Sequence, residues 1–226
     1  MVQDLVVVGA SAGGVEALRS LVHGLPGDLD AAVLVVLHIP PGAPSALAQI
    51  LARSGRLPAV TAQDGDRISQ GCIFVAPSDR HMLVRDSRIA LSRGPAENGH
   101  RPAIDALFRS AAHYYGPRVI GVILSGSRDD GTAGLAAIVE HGGTPIVQDP
   151  DTALYRSMPC AAMAHIAIDH VLHPAKMGRL VADLVAPAPI GAVLPPDELP
   201  PDELPRGSSP LTSCSPQKPP SPSSAP

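Results

Sequence analysis

Short apolar runs, each followed at once by small or polar residues, constrain the fold of this chain more than any other feature. Three of them cover residues 5–9, 33–37 and 119–124, and a fourth is expected at 144–148. The runs show no alternation of apolar and polar residues, which is typical of strands buried on both faces of a parallel sheet. Helical patterns lie between them. We therefore predict an α/β fold, a doubly wound, mostly parallel (Rossmann-like) sheet with helices on both faces.

The middle of the chain has a different pattern. Strand-like pieces at 71–76, 81–85 and 88–92 are separated by turn residues. Such spacing indicates hairpins, and we expect this region to add an antiparallel edge hairpin to the parallel sheet. Two further helices are predicted at 157–166 and 174–185.

The composition changes close to the C-terminus. Residues 187–226 hold 13 of the 26 prolines, many serines and a direct repeat of Pro-Pro-Asp-Glu-Leu. Such a segment cannot bury enough apolar surface to offset the entropy lost on ordering. We predict a folded domain over 1–186 and a Pro/Ser-rich disordered tail over 187–226. A binding role for the repeat is less favoured than a passive one.

Composition also excludes several classes of function. Aromatic residues make up 2%, tryptophan is absent and the net charge is −4, which argues against a nucleic-acid partner. The three cysteines lack the spacing of metal ligands. The start of the chain has no basic signal region, and no apolar run reaches the length of about 18 residues that a membrane span needs. We expect a cytoplasmic protein without stable membrane insertion.

Ser11 is the candidate nucleophile. It follows the first strand within the segment Gly9 to Gly14, whose small residues allow a sharp turn into a helix. Free N–H groups at a helix N-terminus could stabilise an oxyanion there. Alternative interpretations are a dinucleotide-binding turn, although Ser11 occupies the second glycine position of that motif, and a plain helix cap. The nucleophile elbow of α/β-hydrolases is disfavoured by the order of the chain.

Two further reactive side chains come directly after predicted strands. His38 ends the second strand and Asp130 follows the third. The carboxyl ends of parallel strands meet at one edge of a sheet, so His38 could act as general base for Ser11 and Asp130 could orient it. Taken singly, a strand-end histidine and a helix-capping aspartate are the simpler interpretations. Together, the three residues favour a Ser-His-Asp triad.

An ordered series of segments across residues 4–185 resembles the catalytic domain of the CheB family of chemotaxis methylesterases. The segments are Gly9-Ala10-Ser11-Ala12-Gly13-Gly14, His38-Ile39-Pro40-Pro41, Asp64-Gly65-Asp66, Ile73 to Pro77 with His81, Asn98 to Phe108, and Asp130-Gly131. The order of the series is far more specific than any single motif.

The resemblance implies hydrolysis of glutamate methyl esters on methyl-accepting chemoreceptors, and in some members deamidation of receptor glutamines. It implies Ser11 as nucleophile, His38 as base and Asp130 as the residue that orients the base, with no metal or organic cofactor. Ala12, Ser127 and His100 are expected beside the oxyanion or the substrate. His81, His100 and Asp105 could line the cleft, although packing or loop bonding is the simpler interpretation of each.

Departures from the family pattern add three expectations. The catalytic strand begins within five residues of Met1, so no receiver domain is expected ahead of it, and control could come from a regulator acting in trans. Arg128 stands where the family usually has glycine, and could alter the loop or bind an acidic receptor surface. Ala43-Pro44 replaces a common Phe-Thr, which affects receptor specificity. A same-fold hydrolase of another ester and a non-catalytic interaction module remain as alternative functions.

Overall fold

The structure, a computed structural model, describes residues 5–40, 42 and 45–185. The strands are β1 (Leu5–Ala10), β2 (Ala32–Leu37), β3 (Ala59–Thr61), β4 (Ile73–Val75), β5 (His81–Arg85), β6 (Arg88–Ser92), β7 (Val119–Ile123), β8 (Thr144–Gln148) and β9 (His170–Leu172). The helices are α1 (Gly14–His23), α2 (Leu47–Ser54), α3 (Ile104–Tyr115), α4 (Thr132–Glu140), α5 (Ser157–His165) and α6 (Pro174–Val185). The predicted tail, 187–226, lies outside the described residues.

A seven-stranded sheet with the order β3-β4-β2-β1-β7-β8-β9 forms the centre of the fold. Every neighbouring pair in this sheet is parallel. All six residues of β1 and all six of β2 are buried, because helices cover both faces. The continuous apolar runs seen in the sequence follow from this burial. The predicted α/β class with a mostly parallel sheet is confirmed.

The hairpin region differs from the sequence prediction in its placement. Residues 81–85 and 88–92 do pair antiparallel, but β5 and β6 form a separate two-stranded sheet instead of extending the main one. The first piece, 71–76, is not part of a hairpin: β4 lies inside the main sheet, parallel to β2 and β3. A run of three buried apolar residues carries no information about its partner, so local sequence could not distinguish the two arrangements.

Two apolar clusters pack on opposite faces of the sheet. One joins alternate residues of β1, including Val6 and Val8, to α1, α2 and α6. The other joins Leu5 and Val7 to α3, α4, α5 and the β5–β6 hairpin. Within the described residues, no helix is both long and apolar enough to cross a membrane.

Candidate active site

Ser11 lies in the turn between β1 and α1, at the carboxyl edge of the sheet. Its backbone N–H donates to the carbonyl of Ser125 at 3.0 Å, and its own carbonyl accepts from Gly14 N–H at 2.9 Å. The N-cap of α1 is Gly13, which adopts φ 71° and has no side-chain cap. A residue with a side chain is disfavoured at this positive φ. The interpretation of Ser11 as a plain helix cap is therefore wrong, and its hydroxyl is free to face the next strand.

His38 follows β2 and reaches both predicted partners. Its backbone N–H donates to the Ala10 carbonyl at 3.2 Å, which continues the β1–β2 pairing to the residue before Ser11. His38 Nδ1 lies 3.1 Å from Ser11 Oγ, and Nε2 lies 2.7 Å from Asp130 Oδ2. The side chains of His38 and Asp130 are 6% and 1% exposed, so water competes little for these contacts. The structure thus brings the three residues into one hydrogen-bonded chain.

The carboxylate of Asp130 accepts hydrogen bonds from α3, although the helix that follows Asp130 in the chain is α4. Its carboxylate accepts from the backbone N–H groups of Ile104 at 2.7 Å and Asp105 at 3.2 Å, in the first turn of α3. Asn98 Nδ2 adds a third donor at 2.9 Å. Burial raises the pKa of Asp130, but the hydrogen bonds from His38, Ile104 and Asn98 outweigh it and lower the pKa to about 2.

The ionised state of Asp130 fixes the tautomer of His38. A carboxylate can only accept hydrogen bonds, so the ring proton of neutral His38 lies on Nε2, between the imidazole and Asp130. Nδ1 then carries the lone pair, and the Ser11 hydroxyl donates to it. An imidazole in this state can take the proton of the hydroxyl, as general-base catalysis requires.

His100 stacks on the outer side of this arrangement. Its ring centroid lies 3.6 Å from that of His38, with an angle of 8° between the planes. Burial is the main reason why the pKa of His100 is lowered, with further contributions from His38 and Arg128. A neutral ring therefore covers the base. His38 and His100 also line a cavity of about 380 Å³.

Asp105 and His81 are structural residues in this region. Asp105 Oδ1 accepts from the N–H groups of Gly131 and Gly134, at the start of α4, at 3.0 and 2.6 Å. His81 is buried, with Nε2 3.0 Å from the Pro95 carbonyl, and Nδ1 accepts from Ala103 N–H at 3.2 Å. Loop bonding, the simpler interpretation of both residues, is confirmed.

Asn98 was missed as a site residue in the sequence, although it lies in a segment that carried the resemblance. Its Nδ2 donates to Asp105 Oδ2 at 2.8 Å as well as to Asp130. Asn98 adopts φ 52°, a backbone conformation that asparagine tolerates better than most residues. The Asn98-Gly99 pair was the only local signal available for it.

Ser125 was also missed, and it positions the loops around Ser11. Its hydroxyl donates to the Ala12 carbonyl at 2.8 Å and accepts from Tyr155 N–H at 3.0 Å. Its backbone N–H donates to Gln148 Oε1 at 2.8 Å. Ser125 is 1% exposed, so these bonds tie the β7 loop to the nucleophile turn from within the protein. In the sequence, the available indication of this role was the position of Ser125 directly after the apolar run at 119–124.

Ala12 and Ser127 flank the nucleophile on two different loops. Among the described residues, neither backbone N–H donates to another protein group, whereas Ser11 N–H is already bonded to Ser125. Both residues are partly exposed. Ala12 follows Ser11 directly, and Ser127 follows Gly126, where a Cβ atom would lie 2.9 Å from Ser11 Cβ. Within the same part of the chain, no group of three His, Cys, Asp or Glu side chains has the arrangement of a metal site.

Comparisons with known proteins identify the family of this chain. The family model described as CheB methylesterase matches residues 6–181. A protein-glutamate methylesterase/protein-glutamine glutaminase of Rhodopseudomonas palustris is 40% identical over 181 residues, covering 78% of this chain and 50% of the relative. One from Methanosarcina mazei is 38% identical over 192 residues, covering 81% and 52%. The chain spans about half the length of these curated relatives.

A solved structure matches as well. The crystal structure of the Thermotoga maritima CheB methylesterase catalytic domain superimposes with a TM-score of 0.78 at 32% sequence identity. The match covers 82% of this chain and 100% of that one. On the family match and this shared fold, the chain belongs to the CheB methylesterase family.

Proposed function

We propose that this chain hydrolyses glutamate methyl esters on chemoreceptor proteins, with Ser11 as nucleophile, His38 as general base and Asp130 as the residue that orients the base. The observation that carries the proposal is the continuous chain of hydrogen bonds from Ser11 Oγ through the His38 ring to Asp130. The relatives supply the substrate class, because they are named protein-glutamate methylesterases.

The first step is acyl transfer to Ser11. His38 Nδ1 takes the hydroxyl proton as Oγ attacks the ester carbonyl, and Asp130 stabilises the imidazolium that forms. The N–H groups of Ala12 and Ser127 donate to the oxyanion of the tetrahedral intermediate. The carbon–methoxy bond then breaks, and the methoxy group leaves as methanol with the proton held by His38. A glutamyl ester of Ser11 remains.

The second step returns the enzyme to its starting state. Water enters beside His38, loses a proton to Nδ1 and attacks the acyl carbon. The bond to Ser11 Oγ breaks, Oγ regains the proton from His38, and glutamate leaves. The cavity lined by His38 and His100 lies beside the base, and we expect ester and water to enter through it.

Glutamine deamidation is supported as a second activity by the same residues. Two of the curated relatives carry the name protein-glutamine glutaminase beside the esterase name. The chemistry differs only in the leaving group, because ammonia replaces methanol when His38 protonates the amide nitrogen. An amide leaves less readily than an ester, so we expect the ester to be the faster substrate.

Trapping of the nucleophile tests this proposal. A serine-directed fluorophosphonate should label Ser11, and peptide mass spectrometry identifies the labelled residue. A His38→Ala variant should react with the same reagent at least ~100-fold more slowly, because the general base is lost. Ser20, a serine on α1 outside the triad, is the internal control and should stay unlabelled. Labelling that spares Ser11, or that is equally fast without His38, would count against a catalytic serine.

A further inference from the structure

We propose that Arg128 forms an anion-binding subsite beside Ser11 that takes a carboxylate of the polypeptide substrate, so that the enzyme selects esters flanked by an acidic residue. The inference rests on the proposed function and names the class of polypeptide on which it acts. Three observations support it: the backbone conformation of Arg128, its contacts and its charge.

The backbone at Arg128 is in a conformation that favours glycine. Its φ is 64°, and a left-handed conformation costs a residue with a side chain free energy that glycine would not lose. Outliers of this kind concentrate at functional sites, where another contribution offsets them. Arg128 lies between Ser127 and Asp130, in the loop that joins β7 to α4.

Arg128 differs from Arg101, next to His100, and from Arg109, on α3, in having no partner among the described residues. The charge of Arg101 is balanced by Asp79, whose Oδ1 lies 2.6 and 2.9 Å from two guanidinium nitrogens. Arg109 is paired with Glu97. Within the described part of the chain, Arg128 makes no hydrogen bond or ion pair, and it is exposed. Its guanidinium is therefore available to a ligand.

The guanidinium of Arg128 lies close to Gly99, the residue before His100. A Cβ atom placed on Gly99 would be 3.7 Å from Arg128 Nη1, and Gly99 precedes the ring that stacks on His38. The charge of Arg128 is one of the causes that lower the pKa of His100. Arg128 therefore lies beside the segment that carries His100, and a guanidinium binds carboxylates with two parallel hydrogen bonds.

A polypeptide substrate offers a carboxylate as its anionic group. Aspartate and glutamate side chains near the methylated glutamate carry the complementary charge and shape. A substrate with neutral or basic residues beside the ester would leave Arg128 unpaired and would gain no binding free energy from the subsite. The class of substrate is thus a glutamyl ester with an acidic neighbour.

Two peptides test the subsite with the full chain. Each carries one glutamate γ-methyl ester, flanked by glutamate in one peptide and by glutamine in the other. We expect kcat/KM for the acidic peptide to exceed that for the neutral one by about 5-fold at low ionic strength, the size expected for one exposed ion pair. The ratio should approach one at 1 M salt, where the Debye length is about 3 Å.

Variants distinguish a direct contact between Arg128 and the substrate from the long-range electrostatic field of the whole protein. Arg128→Gln should reduce the ratio to about one and Arg128→Glu should reverse it. Two control variants change charge elsewhere. Arg53→Gln removes a positive charge from the last turn of α2, and Asp129→Asn removes a negative charge from the exposed residue next to Arg128. Both variants should keep the ratio of kcat/KM values within twofold of the parent value. A ratio that survives Arg128→Gln, or that shifts equally in Arg53→Gln, overturns the subsite.

The same assay separates this inference from the proposed function. Turnover of both peptides at equal kcat/KM refutes the acidic subsite and leaves the esterase standing. No turnover of either peptide, with no methanol released from methylated receptor, refutes the esterase itself.

Discussion

Asp105 and Asp130 share one donor, because Asn98 Nδ2 lies 2.8 Å from Asp105 Oδ2 and 2.9 Å from Asp130 Oδ1. Both aspartates are buried, at 5% and 1% exposure. Burial, followed by the charge of Asp130, raises the pKa of Asp105, and bonds from Gly134 and Asn98 oppose that rise. The two hydrogens of one amide thus allow two like charges to lie side by side behind the catalytic histidine.

Asn98→Gly tests this bridge. Glycine suits the positive φ of 52° at this position, so the variant removes the amide without straining the backbone. Without the shared donor, the carboxylates repel each other, and among the described residues only the Ile104 and Asp105 N–H groups hold Asp130 beside His38. We expect kcat for ester hydrolysis to fall about 10-fold with little change in KM, since the interaction acts on the transition state. Steady-state kinetics on a methyl-ester peptide measures both constants.

Asn98→Asp is the companion variant, since it keeps the shape and replaces the donor with a third carboxyl group. Its kcat should fall further than that of Asn98→Gly. A kcat within twofold of the parent in both variants would show that the bridge is unimportant for the reaction.

The low pKa of Asp130 predicts how stability depends on pH. Because its folded pKa of about 2 lies below its ordinary value of 3.8, the carboxylate stabilises the fold above about pH 4 and loses that effect as pH falls toward 2. The contribution is about 2 kcal/mol at neutral pH. The raised pKa of Asp105 has the opposite sign, since protonation of that group on acidification favours the folded state.

Urea unfolding of the parent and Asp130→Asn from pH 7 to pH 2.5 checks this dependence. The difference in free energy of unfolding between them should narrow by about 2 kcal/mol, mostly below pH 4. A difference that is independent of pH would contradict the assignment of the depressed pKa to Asp130.

Much of the site was predictable because its residues follow strands that the sequence marks clearly. Ser11 and His38 come directly after buried apolar runs, Asp130 lies in the loop after a third one, and parallel strands bring such positions to one edge. The tautomer of His38 was not predictable, because it depends on donors to Asp130 from α3, a helix that no local pattern connects to that loop.

Short elements and bridging residues could not be predicted from the sequence, for physical reasons. β3 and β9 have three residues each, too few for a periodic pattern. The separate β5–β6 sheet depends on long-range packing against α3, including the bond from Val84 N–H to Ser110 Oγ. Asn98 acts through contacts with Asp105 and with Asp130, which is 32 residues away in sequence, so its residue type alone could not reveal its role.

Gly126 places the oxyanion loop against the nucleophile. A Cβ atom on this residue would overlap Met158 Sδ and lie 2.9 Å from the Ser11 Cβ. Gly126→Ala should displace Ser127 and lower kcat at least ~100-fold, because a small shift of a catalytic group is costly. Gly94→Ala is the matched control, since its new Cβ would meet the Ser92 hydroxyl at 3.4 Å. Equal activity in both variants would contradict the close packing of this loop.

Arg128→Gly should make the protein more stable. Glycine removes the strain of the left-handed backbone at φ 64°, which amounts to about 1 kcal/mol, and no partner within the described residues is lost. Chemical denaturation measures the free energy of unfolding. Loss of stability in this variant would mean that the Arg128 side chain supports the loop, contrary to a role in binding substrate.

Methanol release from methylated receptor is the most direct test of the central claim, that Ser11, His38 and Asp130 form a working esterase. The parent chain should release methanol, and Ser11→Ala should fold normally, judged by circular dichroism and thermal unfolding, yet reduce kcat by at least ~10⁴-fold. Methanol release by a folded Ser11→Ala variant at the parent rate would contradict the account.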